Sequence, residues 1–265
     1  MSSVDAGDRA LWVWDTPDPE RLIEFATAGG IGRLFVAVPE RLGASPDLER
    51  LRRVAALAAD AGITVDAPGG GWEWIDRPGS IVDEWLTPVM GSGLFHGVHA
   101  DVEPHAHPRW DSDRDAVIHD YLGLLDELVA TCSPAAPLEV DLAFWYQEIA
   151  VGDSTLDVEV LCRVHGATIL AYRNRAGGVD GTIAIAERAF AAATAHGRPV
   201  RIGQETKHLG DDPVARKQTF YGHTIVQMDR ELAAVSAAFA PQPVFAGIAI
   251  HDHTGYAAMS CSSSG

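Results

Sequence analysis

The 265-residue chain is poor in three things: cysteine, basic charge and long apolar runs. Its three cysteines, Cys132, Cys162 and Cys261, are too few and too scattered for a disulfide framework, and none belongs to a C-x-x-C pair. No stretch approaches the ~18 consecutive apolar residues that a membrane-spanning helix needs. The opening MSSVDAGDRALWVWD has neither a basic n-region nor an apolar h-region, so no secretory signal is read there. Against 37 Asp+Glu stand only 20 Lys+Arg, a formal charge of −17. Such a chain has no counterion-release drive toward nucleic acid, and an anionic membrane repels it. Its densest basic cluster, at Arg50, Arg52 and Arg53, reads as the solvated face of a helix. These absences predict a soluble cytoplasmic protein with reduced thiols and neither nucleic-acid nor membrane partners.

What is present is globular: 47% hydrophobic residues and 22% charged. Apolar runs of strand length fall at 10–15, 33–38, 63–67, 97–103, 137–146, 167–172, 200–205 and 244–251. Between them lie amphipathic segments of helical period at 19–28, 48–61, 80–90, 113–131, 156–165, 178–196 and 213–240. Asp18 and Pro19 form an N-cap and first-turn signal, and Gly29-Gly30 is a stop. Strict alternation of eight strands with crossover helices predicts an α/β fold, a (β/α)₈ TIM barrel, with an open doubly wound sheet as the alternative. Only a dozen residues follow the last strand, so the eighth helix is expected to be short or missing. No linker or repeat divides the chain, and 1–265 reads as a single barrel domain.

In a barrel, catalytic groups stand where strands run into the loops that follow them. Those ends carry Trp14-Asp15, Asp66 with glycines 69–71 and Trp72/Trp74, Asp101-Val-Glu103, Trp145-Tyr146, Tyr172-Arg173-Asn174, Gln204-Glu205 and His251-Asp252-His253. In GVHADVEPH, period-2 geometry places His99, Asp101 and Glu103 on one face, opposite Val98, Ala100 and Val102. The same rule turns Arg201, Gly203 and Glu205 inward. Two inward carboxylates, Glu103 and Glu205, suit glycosidic-bond cleavage, which needs one proton donor and one ionised partner. Asp101 would be the negative neighbour that raises the pKa of Glu103. The competing reading pairs these carboxylates with Arg201 and Arg173 in structural ion pairs.

These residues also carry a resemblance. GVHADVEP resembles the fourth-strand D-x-E signature of chitinase-type (family 18) glycoside hydrolases, which implies Glu103 as general acid. ILAYRN resembles that family's sixth-strand Tyr motif, and GIAIHDH falls where it has a last-strand aromatic. Glu103 and Glu205 are also similar in placement to the acid/base and nucleophile of the retaining (β/α)₈ glycosidase clan. The sequence departs from these patterns at Arg173, where the chitinase motif has Asp, and at His251, where it has Trp. It also departs at Val102, where the retaining clan has Asn. The expected catalytic set is Glu103, Glu205, Asp101, Tyr172 and His251. Trp14, Asp15, Trp72, Trp145, Arg173, Asn174, Gln204 and His253 are expected to bind substrate, since indole faces pack on the C–H faces of sugars. The expected partner is a glycoside or small glycosylated metabolite.

Histidine supports a rival. His99, His105, His107, His208, His251 and His253 gather at the same rim, and Asp101, Glu103, Glu205 and His251 could ligate a divalent ion in a hydrolase or isomerase. The first reading needs no cofactor and assigns no metal ligand; a sugar-binding barrel without catalysis is the third. Glycines 69–71 could cradle a phosphate, though no G-K-[ST] follows. Neither Cys132 nor Cys162 has a base nearby in sequence.

Overall fold

The computed structural model describes residues 9–260; Cys261 and most of the serine-rich tail lie outside them. Eight parallel strands close into a barrel: β1 (Arg9–Val13), β2 (Ile31–Val36), β3 (Thr64–Gly69), β4 (Val98–Ala100), β5 (Leu138–Ala143), β6 (Gly166–Leu170), β7 (Val200–Glu205) and β8 (Phe245–His251). Each pairs with its neighbours in sequence, and β1 closes the ring against β8. The barrel expectation holds, and the open sheet does not.

Period 2 divides every strand between two environments. Leu11, Val13, Leu34, Val36, Val98, Ala100, Ile169, Ile202, Ile248 and Ile250 face outward into the main core beneath the helices. Inside the barrel only a small apolar group, Ala10, Trp12, Phe35 and Ala249, is packed together. Much of the remaining interior is charged: half-buried Arg33 pairs with buried Asp66, and buried Arg201 with buried Glu139. Burying such pairs costs desolvation that their attraction only partly offsets, so stability comes chiefly from the outer layer, at about 1.5–3 kcal/mol per large apolar side chain.

The surrounding helices are α1 (Pro19–Ala28), α2 (Leu48–Asp60), a composite α3 over 78–91 with a π-helical turn at Val82–Leu86, α4 (Arg114–Thr131), α5 (Leu156–Arg163) and α6 (Thr182–Ala195). They are followed by α7 (Pro213–Lys217), α8 (Ile225–Phe239) and α9 (His253–Ala257). Asp18 caps α1 by accepting from Arg21 N, with Pro19 in its first turn. The eighth barrel helix is α9, five residues long and capped by buried Asp252.

Two departures from the sequence reading bear on the site. The single helix expected over 213–240 is α7 and α8, separated because Thr219 and Phe220 return to β7. Phe220 N donates to Glu205 O at 2.8 Å, and a Thr224/Gln227 capping box restarts the helix. The fourth strand stops at Ala100 rather than 103, so Glu103 leaves the sheet on a loop. No helix among the described residues is long and apolar enough to cross a membrane.

Candidate active site

The β4 end builds the site. Asp101 N donates to Gly69 O at 2.9 Å, which keeps the chain in register one residue past the strand. Gly70 is obligatory here: a Cβ on it would lie 1.9 Å from the Asp101 carbonyl oxygen. A Cβ on Gly69 would strike Trp85 at 2.5 Å and Trp74 at 2.9 Å. Glycines 69–71 therefore let the β3 loop close on β4 and on a Trp pair, which is their role in place of a phosphate cradle. A cavity of about 380 Å³ opens at this point, bounded by Trp14, Gly70, Trp72, Asp101 and Glu103. A neighbouring one of about 260 Å³ shares Trp14 and Gly70 and runs out past Glu40, Arg77 and Glu84.

Asp101 is the deeper carboxylate. Burial first, then the charges of Asp141 and Glu103, push it up to about 7. The sequence expectation placed the raised carboxyl on Glu103; the structure places Asp101 in the position where desolvation acts. Glu103 is half-exposed at the cavity, 3.6 Å from His105 Nε2. Burial lowers the His105 pKa against the opposing charge of Glu103, and its Nδ1 lies 3.2 Å from the Tyr146 hydroxyl. Trp145 packs edge-on against His105 at 5.0 Å.

Beneath Asp101 lies a polar layer that sequence reading overlooked. His99 is fully buried, packs tilted against Phe35 with ring centroids 4.2 Å apart, and has Nε2 3.0 Å from Asp141 Oδ1. Its Nδ1 has no hydrogen-bond partner among the described residues and lies 4.0 Å from Glu139. Burial lowers the pKa of His99, but the charge and hydrogen bond of Asp141 outweigh it, so the net shift is upward. Asp141 could have been found from LEVDLA, where period 2 sends Glu139 and Asp141 inward just as it does His99 and Asp101. Tyr121, Tyr146 and Tyr172 are all raised, by burial and then by neighbouring groups that include Asp101, Glu103 and Asp141. Their phenols stay protonated and so keep an O–H to donate.

Across the barrel, Glu205 is fully engaged. Oε1 accepts the N–H groups of Thr206 and Lys207, both at 2.7 Å, and Oε2 lies 2.8 Å from His251 Nδ1. The Trp14 indole donates to His251 Nε2 at 2.8 Å. Burial lowers the His251 pKa, but the hydrogen bond and charge of Glu205 outweigh it and raise the net value. The peptide bond between His251 and Asp252 is cis. Tyr172 seats its ring against Gly203, where a Cβ would be 3.2 Å from its Cε1.

The remaining expected residues do not converge on this cavity. Arg173 is held by Asp180 at 2.8 Å and lies over the Phe144 ring, while Arg201 takes Glu139, so neither arginine neutralises Glu103 or Glu205. Gln204 is buried on the outward face of β7, donating to Ala171 O, because one residue's step from Glu205 reverses the side. Asp15 and His253 bond each other at 3.0 Å. Asn174 lies in a different cavity, treated below. Among the described residues no three or more His, Cys, Asp or Glu side chains are grouped so as to hold a metal ion. Cys162 does have a base nearby: His196 Nδ1 is 3.5 Å from its Sγ, on the outer helices. Burial pushes the Cys132 thiol up to about 11.

No family model matches the sequence, and no curated protein does. Solved structures do match in fold. A chitinase from Bacteroides thetaiotaomicron superposes with TM-score 0.63 at 11% identity, over 93% of this chain and 89% of that one. The spore cortex-lytic enzyme SleL of Bacillus megaterium QM B1551 gives 0.59 at 14%, over 92% and 70%. A GH18 chitinase from Cycas revoluta in complex with (GlcNAc)3 gives 0.50 at 14%, over 75% and 68%. The chain spans 50% of the length of the Bacillus cereus SleL that it also matches. These likenesses show the fold: a TIM barrel of the kind seen in those chitinases and in SleL.

Proposed function

We propose that this barrel hydrolyses a glycosidic bond, with Glu103 as general acid and Asp101 as its paired carboxylate. The observation that carries the reading is the pair itself, at the end of β4 in a cavity walled by Trp14 and Trp72. Glu103, nearer solvent, gives its proton to the leaving oxygen as the bond to the anomeric carbon breaks. Positive charge then grows on the sugar ring, and Asp101, in the form already ionised near neutral pH, stabilises it with Asp141 behind. The Tyr172 hydroxyl, kept protonated, supplies a hydrogen bond to the reacting ring. Water then attacks the anomeric carbon and gives up a proton to the Glu103 carboxylate, which restores the acid.

Glu205 has a different part from the nucleophile's. Buried, with three donors on its two oxygens, it acts through His251, which it orients beneath Trp14. Trp14 and Trp72 stack on sugar faces, and Trp145 supports the acid through His105. This mechanism requires no cofactor.

Oligosaccharides of N-acetylglucosamine are the first substrates to offer, because solved relatives in fold are chitinases and one holds (GlcNAc)3. The expected result is turnover that falls about 10²-fold or more in Glu103→Gln. Turnover unaffected by that substitution overturns the assignment of the acid. Calorimetric binding with no turnover across a glycoside panel makes the protein a sugar-binding barrel instead.

A further inference from the structure

The chain has only two lysines, Lys207 and Lys217, and both fall between β7 and α8. In a protein of −17 net charge this concentration has a specific location. From the same segment Arg216, His208 and His223 line a cavity of about 350 Å³, joined by Asn174 from the loop after β6. None of the residues lining it also lines the cavity at Asp101 and Glu103.

The loop is held in place before any ligand arrives. Thr219 Oγ1 donates to Lys207 O at 2.6 Å and accepts from Tyr221 N at 2.9 Å, and Phe220 N is bonded to Glu205 O. Asn174 Nδ2 donates to Arg216 O at 2.9 Å and lies 3.4 Å from His223 Nε2. His208 packs edge-on against Tyr221 at 4.9 Å. Lys217 is held by Asp180 at 2.7 Å and Lys207 by Asp252 at 3.1 Å, so both are already paired and, among the described residues, the free cation on the cavity wall is Arg216.

The wall is rich in donors: a guanidinium, two imidazoles, a phenol and an amide. Its one carboxylate is Asp211, 3.3 Å from His208 Nε2 and 3.7 Å from Arg216 Nη2. At 3.7 Å the Arg216 fork is not hydrogen-bonded to Asp211, and its side chain is 70% exposed, leaving its planar donors free for a bidentate acceptor. Sugar hydroxyls would need acceptors as well as donors. A cation would meet Arg216. We propose that this cavity binds an oxyanion group, the phosphate or carboxylate of a small molecule, at a site separate from the hydrolytic one.

The test is calorimetry on the full chain with sodium phosphate and, separately, with glucuronate, at constant ionic strength so that general screening does not vary. Saturable binding of at least one anion at millimolar concentration is expected, with shifts of the His208 and His223 ring resonances. Arg216→Gln should weaken it about tenfold or more, because a charge-assisted pair of bonds is lost. Glu103→Gln should leave it unchanged. Phosphate alone binding identifies a free tetrahedral ion as ligand, and glucuronate binding identifies an acidic saccharide. Absence of saturation by either anion overturns the proposal. So does an Arg216→Gln variant, folded by circular dichroism, that binds as the parent does, or loss of binding in Glu103→Gln.

Discussion

The Trp14 indole N–H points at Nε2 of His251 from 2.8 Å, which dictates where the proton of that imidazole sits. Indole can only donate, so Nε2 accepts and a neutral ring carries its hydrogen on Nδ1, toward Glu205. Protonating Nε2 would set two donors against each other. Trp14 therefore opposes the charging of His251 that Glu205 favours. Trp14→Phe should raise the His251 pKa further and mix its tautomers, read by ¹⁵N shifts of the ring across a pH titration. An unchanged titration curve would show that the indole contact has no hold on the ring.

Asp101 makes stability depend on pH. Its carboxyl rises from 3.8 to about 7 in the folded protein. Between those values the native state holds a proton that the unfolded chain has lost. Its contribution is full below pH about 4 and declines as pH rises to about 7, amounting to roughly 4 kcal/mol at most. Asp101→Asn should abolish that decline, so the variant gains on the parent as pH goes from 5 to 8. Urea unfolding at the two pH values measures it, and parallel stability curves would refute the raised pKa.

The His99–Asp141 pair predicts a slope of the same sign from a different cause. Its raised pKa stabilises the fold fully below about 6.5, and that contribution fades as pH climbs through the folded value. Asp141→Asn leaves a buried imidazolium without its charge partner and should cost about 3–5 kcal/mol in acid, less when the ring is neutral. Removing that charge should also lower the Asp101 pKa. Denaturation midpoints at pH 5.5 and 8 separate the two effects, and an equal loss at both would contradict the pairing.

Steric demands at the β3 loop give a paired test. Gly70→Ala must displace the Asp101 carbonyl, so it should destabilise by about 2 kcal/mol or more and depress turnover with it. Gly79→Ala, where a Cβ meets nothing within 4 Å, should be neutral or stabilise by up to about 1 kcal/mol. Thermal unfolding of both variants checks this, and similar losses in the two would remove the packing argument.

Much of the architecture was legible because barrels are periodic. Alternation in GVHADVEPH and VRIGQE alone puts His99, Asp101, Arg201 and Glu205 on the interior side. It failed where a strand ended early, at Glu103, and where a helix was interrupted by a return to the sheet, at Thr219. Gln204 was misjudged although the same alternation, applied strictly, sends it outward. Arg173 and Asn174 were read as one cluster with Tyr172 because they adjoin it in sequence. In space Arg173 turns to Asp180 and Asn174 to Arg216.

What the amino-acid order determined by itself was the alternation of periods, hence eight strands, their inward faces and the concentration of carboxylates at one rim. The −17 charge and the absence of basic runs belong to that level too. What only the tertiary structure decided was which inward groups share a proton and which are already occupied. Asp141 and His99 are 42 positions apart, and Glu205 and Trp14 are each bonded to His251 from distant parts of the chain. Burial and pairing depend on closing the barrel, and no local pattern encodes the distance between strands that meet only when the ring is complete.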